Sequence, residues 1–315
     1  MNKILETKEF SSKPRRSVLS VPGHIQKMHL KASKSNADVI MLDLEDSVPV
    51  DSKEEARSVV LSSLKETDWA DKTVSVRVNA VDTPFAYKDI ISLVEEAGDR
   101  IDSIVIPKVE STADSHFVSR LLDGIESSTG IRKKIALELS IETAEGMENI
   151  SEIARSTERA VSLVFGIADF SASIGARLIS ISGHGENEEA IYPGHRWHYA
   201  LSRMVVAAKA NGLQVIDAPF GNYNDPEGLR KSCELSLALG CDGKWAIHPS
   251  QIDVINEVYS PSPEEIERAR RIVEAHMEAE SQGRGAVSLD GRMVDRATIR
   301  LAKALLNKAE YLGLK

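Results

Sequence analysis

Ionisable side chains stand at or just after the ends of short apolar runs along this chain. In residues 162–175, SLVFGIADFSASIG, the apolar run Leu163–Phe165 is followed four residues later by Asp169. A charge at the end of a buried strand needs a partner, because desolvating it unpaired is costly. Asp169 is therefore expected either to cap the next helix or to bind a cation.

Glu142 ends the preceding apolar run in the same way. If the two runs are neighbouring strands of a parallel sheet, their carboxylates lie about 4.8 Å apart and repel unless a proton or cation separates them. No Cys or His stands beside them, and all-oxygen ligation favours Mg²⁺, with Mn²⁺ as a second candidate. The alternative is an ion pair, either Glu142 with Arg77 or Asp169 with Lys108.

The other apolar runs also end near polar groups. These groups are His24, the carboxylates Asp43, Glu45 and Asp46, the pair Arg77 and Asn79, Lys108, Asp217 and His248. Helix caps and solvated loops explain a few of them but not the whole set, so the pattern predicts convergence on one site. His248 taken alone is more typical of a structural residue that fixes the end of a strand.

Eight apolar runs predict β-strands, and segments with helical spacing separate them. The predicted strands are 17–22, 38–44, 73–79, 103–107, 134–141, 161–166, 213–218 and 243–247. Eight strand–helix units without a linker favour a (β/α)8 TIM barrel over an open doubly wound sheet, and no GxGxxG or GxxxxGKS motif supports the open sheet. In such a barrel the carboxyl ends of the strands carry the chemistry.

Three regions are expected along the chain. Residues 1–16 predict a polar N-terminal tail, residues 17–260 the barrel, and residues 261–315 a C-terminal helical arm or lid. The arm is too long to be the last helix of a barrel. We expect it to fold over the barrel mouth or to pack on a neighbouring subunit.

Composition argues against several classes of function. The net charge of −9 on 315 residues disfavours a nucleic-acid-binding protein, whose binding face is basic. No run approaches the roughly 18 apolar residues of a membrane span, and the N-terminus lacks the apolar core of a signal peptide. The two cysteines, Cys233 and Cys241, suit a reduced, cytoplasmic protein.

Eight motifs in order carry a resemblance to a known family. They are ADVIMLDLEDSV, TVSVRVNA, VIPKVE, IETAEG, GIADFSASIG, APFGNYNDPEG, GKWAIHPSQI and SLDGRMVDRA. From about Arg16 to Tyr311 the chain is similar to the HpcH/HpaI aldolase and citrate lyase β-subunit superfamily. Within it, the motifs are most similar to the lyases of malyl-CoA and β-methylmalyl-CoA.

The resemblance implies a barrel whose Glu142 and Asp169 hold Mg²⁺ and whose Arg77 binds a 2-oxoacid. It implies that Asp295, in the GRMVD motif, reaches into the site of a neighbouring subunit as a catalytic base, within a homotrimer or homohexamer. Glu45 and Asp46 are expected to orient metal-bound waters.

Contacts with the acyl-CoA substrate are also implied by the resemblance. They fall on Ser20, Lys31, Ala168, Ile247 and His248. One departure is Ile25, where relatives often carry an arginine near CoA, so Lys27 is the candidate replacement for that contact.

The implied reaction is the reversible Claisen-type cleavage of malyl-CoA to acetyl-CoA and glyoxylate, and of β-methylmalyl-CoA to propionyl-CoA and glyoxylate. Alternatives on the same fold are a citramalyl-CoA lyase, a malyl-CoA thioesterase and a citrate lyase β subunit. A metabolite-binding assembly subunit is the alternative from another class. The intact site set argues against it, because a binder does not need an aspartate that reaches in from the arm.

Overall fold

Eight parallel strands form a closed barrel in the computed structural model of the protein. The structure describes residues 13–176, 196–281, 287–289 and 291–314. The barrel strands are β1 (Ser17–Pro22), β2 (Val39–Asp43), β3 (Thr73–Arg77), β4 (Ser103–Ile106), β5 (Ala136–Ile141), β6 (Ala160–Phe165), β7 (Gln214–Asp217) and β8 (Gly243–Ala246). Each strand pairs with the next in the chain, and β8 pairs with β1. The predicted (β/α)8 barrel is confirmed, and the open sheet is wrong.

Twelve α-helices accompany the strands in the described part of the chain. They are α1 (Gln26–Ala32), α2 (Lys53–Glu66), α3 (Ala86–Ala97), α4 (Thr112–Thr129), α5 (Ala144–Glu148), α6 (Ile150–Ile153), α7 (Ile167–Ser173), α8 (His198–Ala210), α9 (Pro226–Leu239), α10 (Ile252–Val258), α11 (Pro263–Ser281) and α12 (Arg296–Tyr311). No described helix is long and apolar enough to cross a membrane.

The strands are buried on both faces, which explains why the sequence shows them as continuous apolar runs. In β2 and β3 every residue is buried. One face packs against the surrounding helices and the other fills the barrel. The apolar residues that fill it include Val18, Val39, Met41, Val105, Val164, Ile216 and Trp245.

The register of the strands places the polar groups at one rim. Pro22, Asp43 and Arg77 lie in register at the ends of β1, β2 and β3. Ile141 pairs with Phe165, so the next residues, Glu142 and Gly166, are also neighbours. Residues in register on adjacent strands share a face, and the rim is therefore built by strand pairing.

A polar cluster lies inside the barrel on the side where the chain enters β1. Glu138 is 1% exposed and pairs with Arg15 at 2.7 Å, while Ser75, Ser103 and Ser162 donate hydrogen bonds to its carboxylate. Burial raises the pKa of Glu138, but the charge of Arg15 and the three hydroxyls outweigh it and lower the pKa.

The last two residues of the predicted polar tail, Arg15 and Arg16, form ion pairs with residues of the barrel unit. Arg15 is 4% exposed within the polar cluster, and Arg16 donates two side-chain hydrogen bonds, of 2.8 and 2.7 Å, to Asp38. Arg15 thus supplies the cation that the buried carboxylate of Glu138 requires, although the sequence places it in the polar tail.

The chain divides into two compact units, Met1–Glu257 and Val258–Lys315. The second unit contains α11, α12 and a two-stranded antiparallel sheet of β9 (Val287–Leu289) and β10 (Arg292–Val294). Its two helices pack against each other. That this unit packs on a neighbouring subunit stays a prediction.

Candidate active site

Arg77, the last residue of β3, is held by Asp43, the last residue of β2. Arg77 Nε and one terminal nitrogen donate hydrogen bonds of 2.7 Å each to the two oxygens of Asp43. The other terminal nitrogen lies 3.0 Å from Glu45, and the guanidinium carbon lies 5.2 Å from the ring centre of Trp245. Burial raises the pKa of Asp43, but Arg77 more than compensates and lowers it. The pair is ionised and fixed in orientation.

Hydrogen bonds hold the loop after β2 in a conformation that keeps its carboxylates near Arg77. Asp43 accepts hydrogen bonds from the backbone of Glu45 at 2.9 Å and of Ser47 at 3.2 Å. The ammonium of Lys53, on α2, donates to the carbonyl oxygens of Leu44 at 2.8 Å and Glu45 at 2.7 Å. Asp46 lies further out, 3.5 Å from Arg77 and 59% exposed at its side chain.

Glu142 directly follows β5 and is 1% exposed. Its Oε1 atom is buried and has no hydrogen-bond partner among the described residues. Burial raises the pKa of its carboxyl group to about 8. Burying a carboxylate oxygen without a hydrogen-bond donor costs free energy. We therefore expect this oxygen to bind a proton or a cation.

Asp169 lies in the first turn of α7, which starts directly after β6. The N-cap of this helix is Gly166, with no side-chain cap hydrogen bond, so Asp169 is not the cap. Its carboxylate is 41% exposed and lies 3.3 Å from the ammonium of Lys108. The alternative of an Asp169–Lys108 ion pair is therefore present in the structure.

Lys108 follows β4 and places its ammonium among four carboxylates. The nitrogen contacts Glu45 and lies 3.3 Å from Asp169, 3.7 Å from Asp46 and 4.0 Å from Glu142. Burial lowers the pKa of Lys108, but the hydrogen bond to Glu45 and the surrounding carboxylates raise it above its usual value. Its ammonium is charged at neutral pH.

Arg77, Glu142 and Asp169 border a cavity of about 360 Å³ at the carboxyl ends of the strands, and Lys108 and Glu45 are not among its lining residues. Seven of the residues predicted for the site line it, namely Ser20, Asp46, Arg77, Glu142, Ala168, Asp169 and Ile247. Asp43, one of the polar groups predicted to converge, also lines it, together with five residues that the sequence did not single out: Ser47, Gly166, Ile167, Pro219 and Trp245.

Three of the residues predicted to contact acyl-CoA or to orient water do not line this cavity, and neither do His24, Asn79, Lys108 and Asp217 of the polar groups predicted to converge. Glu45 is buried and bonded to Arg77 and Lys108. Lys31 is exposed on α1. His248 stacks on Tyr223 with ring centres 4.8 Å apart and accepts a hydrogen bond from the backbone of Ser250, which fits the structural interpretation.

Asp295 belongs to the second unit and is the N-cap of α12. Its carboxylate accepts hydrogen bonds from the backbone nitrogen of Thr298 at 2.8 Å and from its hydroxyl at 2.9 Å. These bonds lower the pKa of Asp295. The structure thus shows the capping role, and the role at a neighbouring subunit's site stays a prediction.

The residues present fit a magnesium ion. Among the described residues no group of three or more His, Cys, Asp or Glu side chains is arranged to hold a metal. Mg²⁺, however, is commonly bound by one or two carboxylates, with waters and substrate oxygens in the remaining positions. Glu142, with its partnerless buried oxygen, and Asp169 are the two carboxylates that would hold such an ion.

Asp43 and Gly166 have contacts in the site that the sequence did not predict. Asp43 was predicted only as one of three carboxylates after β2, with nothing to single it out as the partner of Arg77. Gly166 was given no role, and its importance is that a Cβ there would overlap the side chain of Glu142.

A parallel barrel whose charged side chains converge on one cavity at the strand ends has the architecture of a TIM-barrel enzyme. Comparison with protein families matches residues 16–249 to HpcH/HpaI aldolase/citrate lyase. The chain belongs to this family.

Two relatives and one solved structure illustrate the similarity. The chain is 40% identical to the L-malyl-CoA/β-methylmalyl-CoA lyase of Cereibacter sphaeroides, over 96% of each chain. It is 36% identical to a (3S)-malyl-CoA thioesterase of the same species, over 95% of this chain and 96% of the relative. The CitE protein of Mycobacterium tuberculosis, solved with magnesium, acetoacetate and coenzyme A, superimposes with a TM-score of 0.73 at 26% identity, covering 95% of this chain and 98% of that one.

Proposed function

We propose that the protein is a Mg²⁺-dependent lyase that reversibly cleaves malyl-CoA to acetyl-CoA and glyoxylate, and β-methylmalyl-CoA to propionyl-CoA and glyoxylate. The observation that carries the proposal is the placement of Arg77, fixed by Asp43, in one cavity with Glu142 and Asp169. The similarity to the Cereibacter lyase over 96% of each chain supports the choice of substrates.

Arg77 binds the carboxylate of the 2-oxoacid in this proposal. Its contacts with Asp43 and Glu45 use only part of the N–H donors of a guanidinium, so donors remain for a carboxylate in the cavity. Because Asp43 fixes the plane of the guanidinium, the carboxylate is bound in one orientation. This orientation presents the reacting carbonyl carbon to the acyl-CoA.

Glu142 and Asp169 hold Mg²⁺, with Mn²⁺ as a second candidate. When bound, the ion polarises the oxygen of the 2-oxoacid as a Lewis acid. In this proposal Glu45 and Asp46, which both lie next to Lys108, orient water near Glu142 and Asp169 by hydrogen bonds.

Cleavage requires one proton to leave and one to arrive. The hydroxyl on C3 loses its proton, the C2–C3 bond breaks as the carbonyl of glyoxylate forms, and C2 of the thioester enolate takes up a proton. Asp295 of a neighbouring subunit in a homotrimer or homohexamer transfers the proton at C2. Ser20, Lys31, Ala168, Ile247 and His248 contact the acyl-CoA in this proposal, and the protein acts in the cytoplasm.

The test is incubation of the purified chain with acetyl-CoA, glyoxylate and Mg²⁺, with thioester products followed by mass. Malyl-CoA is the expected product, and propionyl-CoA should yield β-methylmalyl-CoA. EDTA should abolish the activity of the wild-type chain, and adding Mg²⁺ back should restore it. Glu142→Gln and Asp169→Asn should be inactive, and Mg²⁺ should not restore their activity. Absence of turnover with both acyl-CoA substrates would refute the proposal.

A malyl-CoA thioesterase is the second candidate, favoured by the similarity to the Cereibacter thioesterase. The two activities separate when malyl-CoA is the substrate. A lyase breaks the C2–C3 bond and releases acetyl-CoA and glyoxylate, whereas a thioesterase hydrolyses the thioester and releases malate and CoA. Binding of malyl-CoA without either product would instead indicate a non-catalytic metabolite-binding subunit.

A further inference from the structure

The ammonium of Lys108 lies among the carboxylates of the site. It contacts Glu45 and lies within 4.0 Å of the carboxylates of Asp46, Glu142 and Asp169. Lys108 and Arg77 both contact Glu45 and Asp46, and each has at least one carboxylate that the other does not contact. Arg77 takes both oxygens of Asp43, and Lys108 is the cation closest to Asp169 among the described contacts.

The backbone at Lys108 adopts a conformation that side chains other than glycine rarely take. Its φ angle is +50°, one of two positive values among described non-glycine residues. A residue in this region costs free energy and persists only where the surroundings hold it, which is common at functional sites. The turn after β4 is therefore held in a strained form that directs the lysine into the carboxylates.

The two carboxylates that Lys108 bridges are the two proposed metal ligands. An ammonium between Glu142 and Asp169 and a divalent ion bound to the same oxygens would be like charges a few ångströms apart, an arrangement that is unfavourable beside the buried Glu142. The lysine side chain can move away from the metal ligands, because it is 31% exposed and keeps the buried Glu45 and the exposed Asp46 as partners.

We propose that Lys108 is an internal counter-ion that holds Glu142 and Asp169 together in the metal-free enzyme and is displaced from them when the divalent cation binds. The inference rests on the proposed function, since it takes these carboxylates as the metal ligands. It makes Lys108 a positioning residue, which keeps the site assembled without metal and weakens the affinity for the metal.

The test is isothermal titration of Mg²⁺ into metal-stripped, full-length protein, compared between wild type and Lys108→Met. A like charge within about 4–6 Å shifts an ionic equilibrium by a factor on the order of 10 to 1000. The variant is therefore expected to bind Mg²⁺ at least about tenfold more tightly. In EDTA it should melt at a lower temperature than wild type, with the difference removed by saturating Mg²⁺.

Two controls keep the result interpretable. Lys65→Met removes a lysine of the surface pair with Glu96 and should leave Mg²⁺ affinity unchanged. If Lys108→Met does not fold, Lys108→Gln removes the charge but keeps a polar side chain, and should show the same tightening. Equal or weaker Mg²⁺ binding in the Lys108 variants, with normal binding by wild type, overturns this inference and leaves the lyase proposal standing. No Mg²⁺ binding by wild type overturns the metal site and this inference together.

Discussion

Gly166 lies against Glu142 so closely that a Cβ on the glycine would overlap the Cγ of the glutamate. The two residues follow a register pair, Ile141 and Phe165, and thus face each other by strand pairing. Gly166→Ala is expected to push the Glu142 carboxylate out of place, lowering kcat/KM and Mg²⁺ affinity by about tenfold or more, since small misplacements at an active site are costly.

Steady-state kinetics and Mg²⁺ titration check this expectation. The matched control is Gly124→Ala, where a Cβ would meet nothing within 4 Å and the helix α4 gains a better helix former. Wild-type Mg²⁺ affinity in Gly166→Ala would show that the backbone accommodates the methyl group and that the glycine is not required.

Asp43→Asn should impair binding of the 2-oxoacid rather than of the acyl-CoA. The variant removes the charge that holds Arg77 through two hydrogen bonds, so the guanidinium loses its fixed orientation. We expect kcat/KM to fall about 100-fold, with KM for glyoxylate rising more than KM for acetyl-CoA.

Asp38→Asn is the matched control, because Asp38 forms a similar fork with Arg16 just before β2 begins. That variant should lower the melting temperature and leave both KM values near wild type. An equal effect of the two variants on KM for glyoxylate would contradict a positioning role of Asp43.

Asp295 acts across subunits if the arm completes a neighbour's site. Arg77→Ala and Asp295→Ala chains should each be inactive alone. After mixed refolding, random assembly gives roughly a quarter of the sites both wild-type residues, and about that share of activity should return. Failure to complement, with both variants correctly assembled, would restrict Asp295 to its observed role as the cap of α12.

The sequence predicts the fold of this protein more completely than it predicts the contacts within the site. Each barrel strand was predicted to within two residues at each end, because strands buried on both faces appear as short apolar runs. The strand ends also pointed to Arg77, Glu142 and Asp169 as rim residues. The prediction of these rim residues follows from the type of each side chain and from its position at the end of an apolar run.

The partners within the site could not be predicted in the same way. That Arg77 pairs with Asp43 depends on the register between β2 and β3, which the sequence does not specify. That Lys108 reaches four carboxylates depends on a left-handed backbone angle at a residue type that rarely adopts it. Arg15 was predicted to lie in the polar tail, because its partner Glu138 is 123 positions away in a mostly apolar strand.

Arg15→Met should destabilise the barrel while leaving the catalytic rim intact. The variant leaves the buried carboxylate of Glu138 with hydroxyl donors only, and breaking a buried ion pair from one side costs about 3–5 kcal/mol. Urea unfolding measures this loss. The double variant Arg15→Met/Glu138→Gln should recover part of it, and a double variant no more stable than the single one would contradict the charge explanation.

His29 makes the stability of the barrel depend on pH. Its ring lies between the hydroxyl of Ser63 at 2.7 Å and the carbonyl oxygen of Pro22 at 3.0 Å, and burial lowers its pKa below 6.5. The unfolded chain therefore takes up this proton more readily than the folded one. The contribution of the neutral His29 ring to the free energy of unfolding is complete above pH 6.5. It is lost as the pH falls below this value, by at most about 1.4 kcal/mol per pH unit.

Urea unfolding at pH 7.5 and pH 5.5 tests this dependence. Wild type should lose more stability between the two values than His29→Gln, which has no proton to gain. Parallel losses in the two proteins would show that other groups account for the pH effect.

The ion pair between Arg15 and Glu138 also bears on how the chain is made, since its partners stand 123 positions apart. At about 5–20 residues per second, a ribosome delivers Glu138 roughly 6 to 25 seconds after Arg15. Through that interval the guanidinium lacks Glu138 as a partner, and β1 lacks β8, which follows later still. The first barrel strand to be made is thus among the last to complete its native contacts.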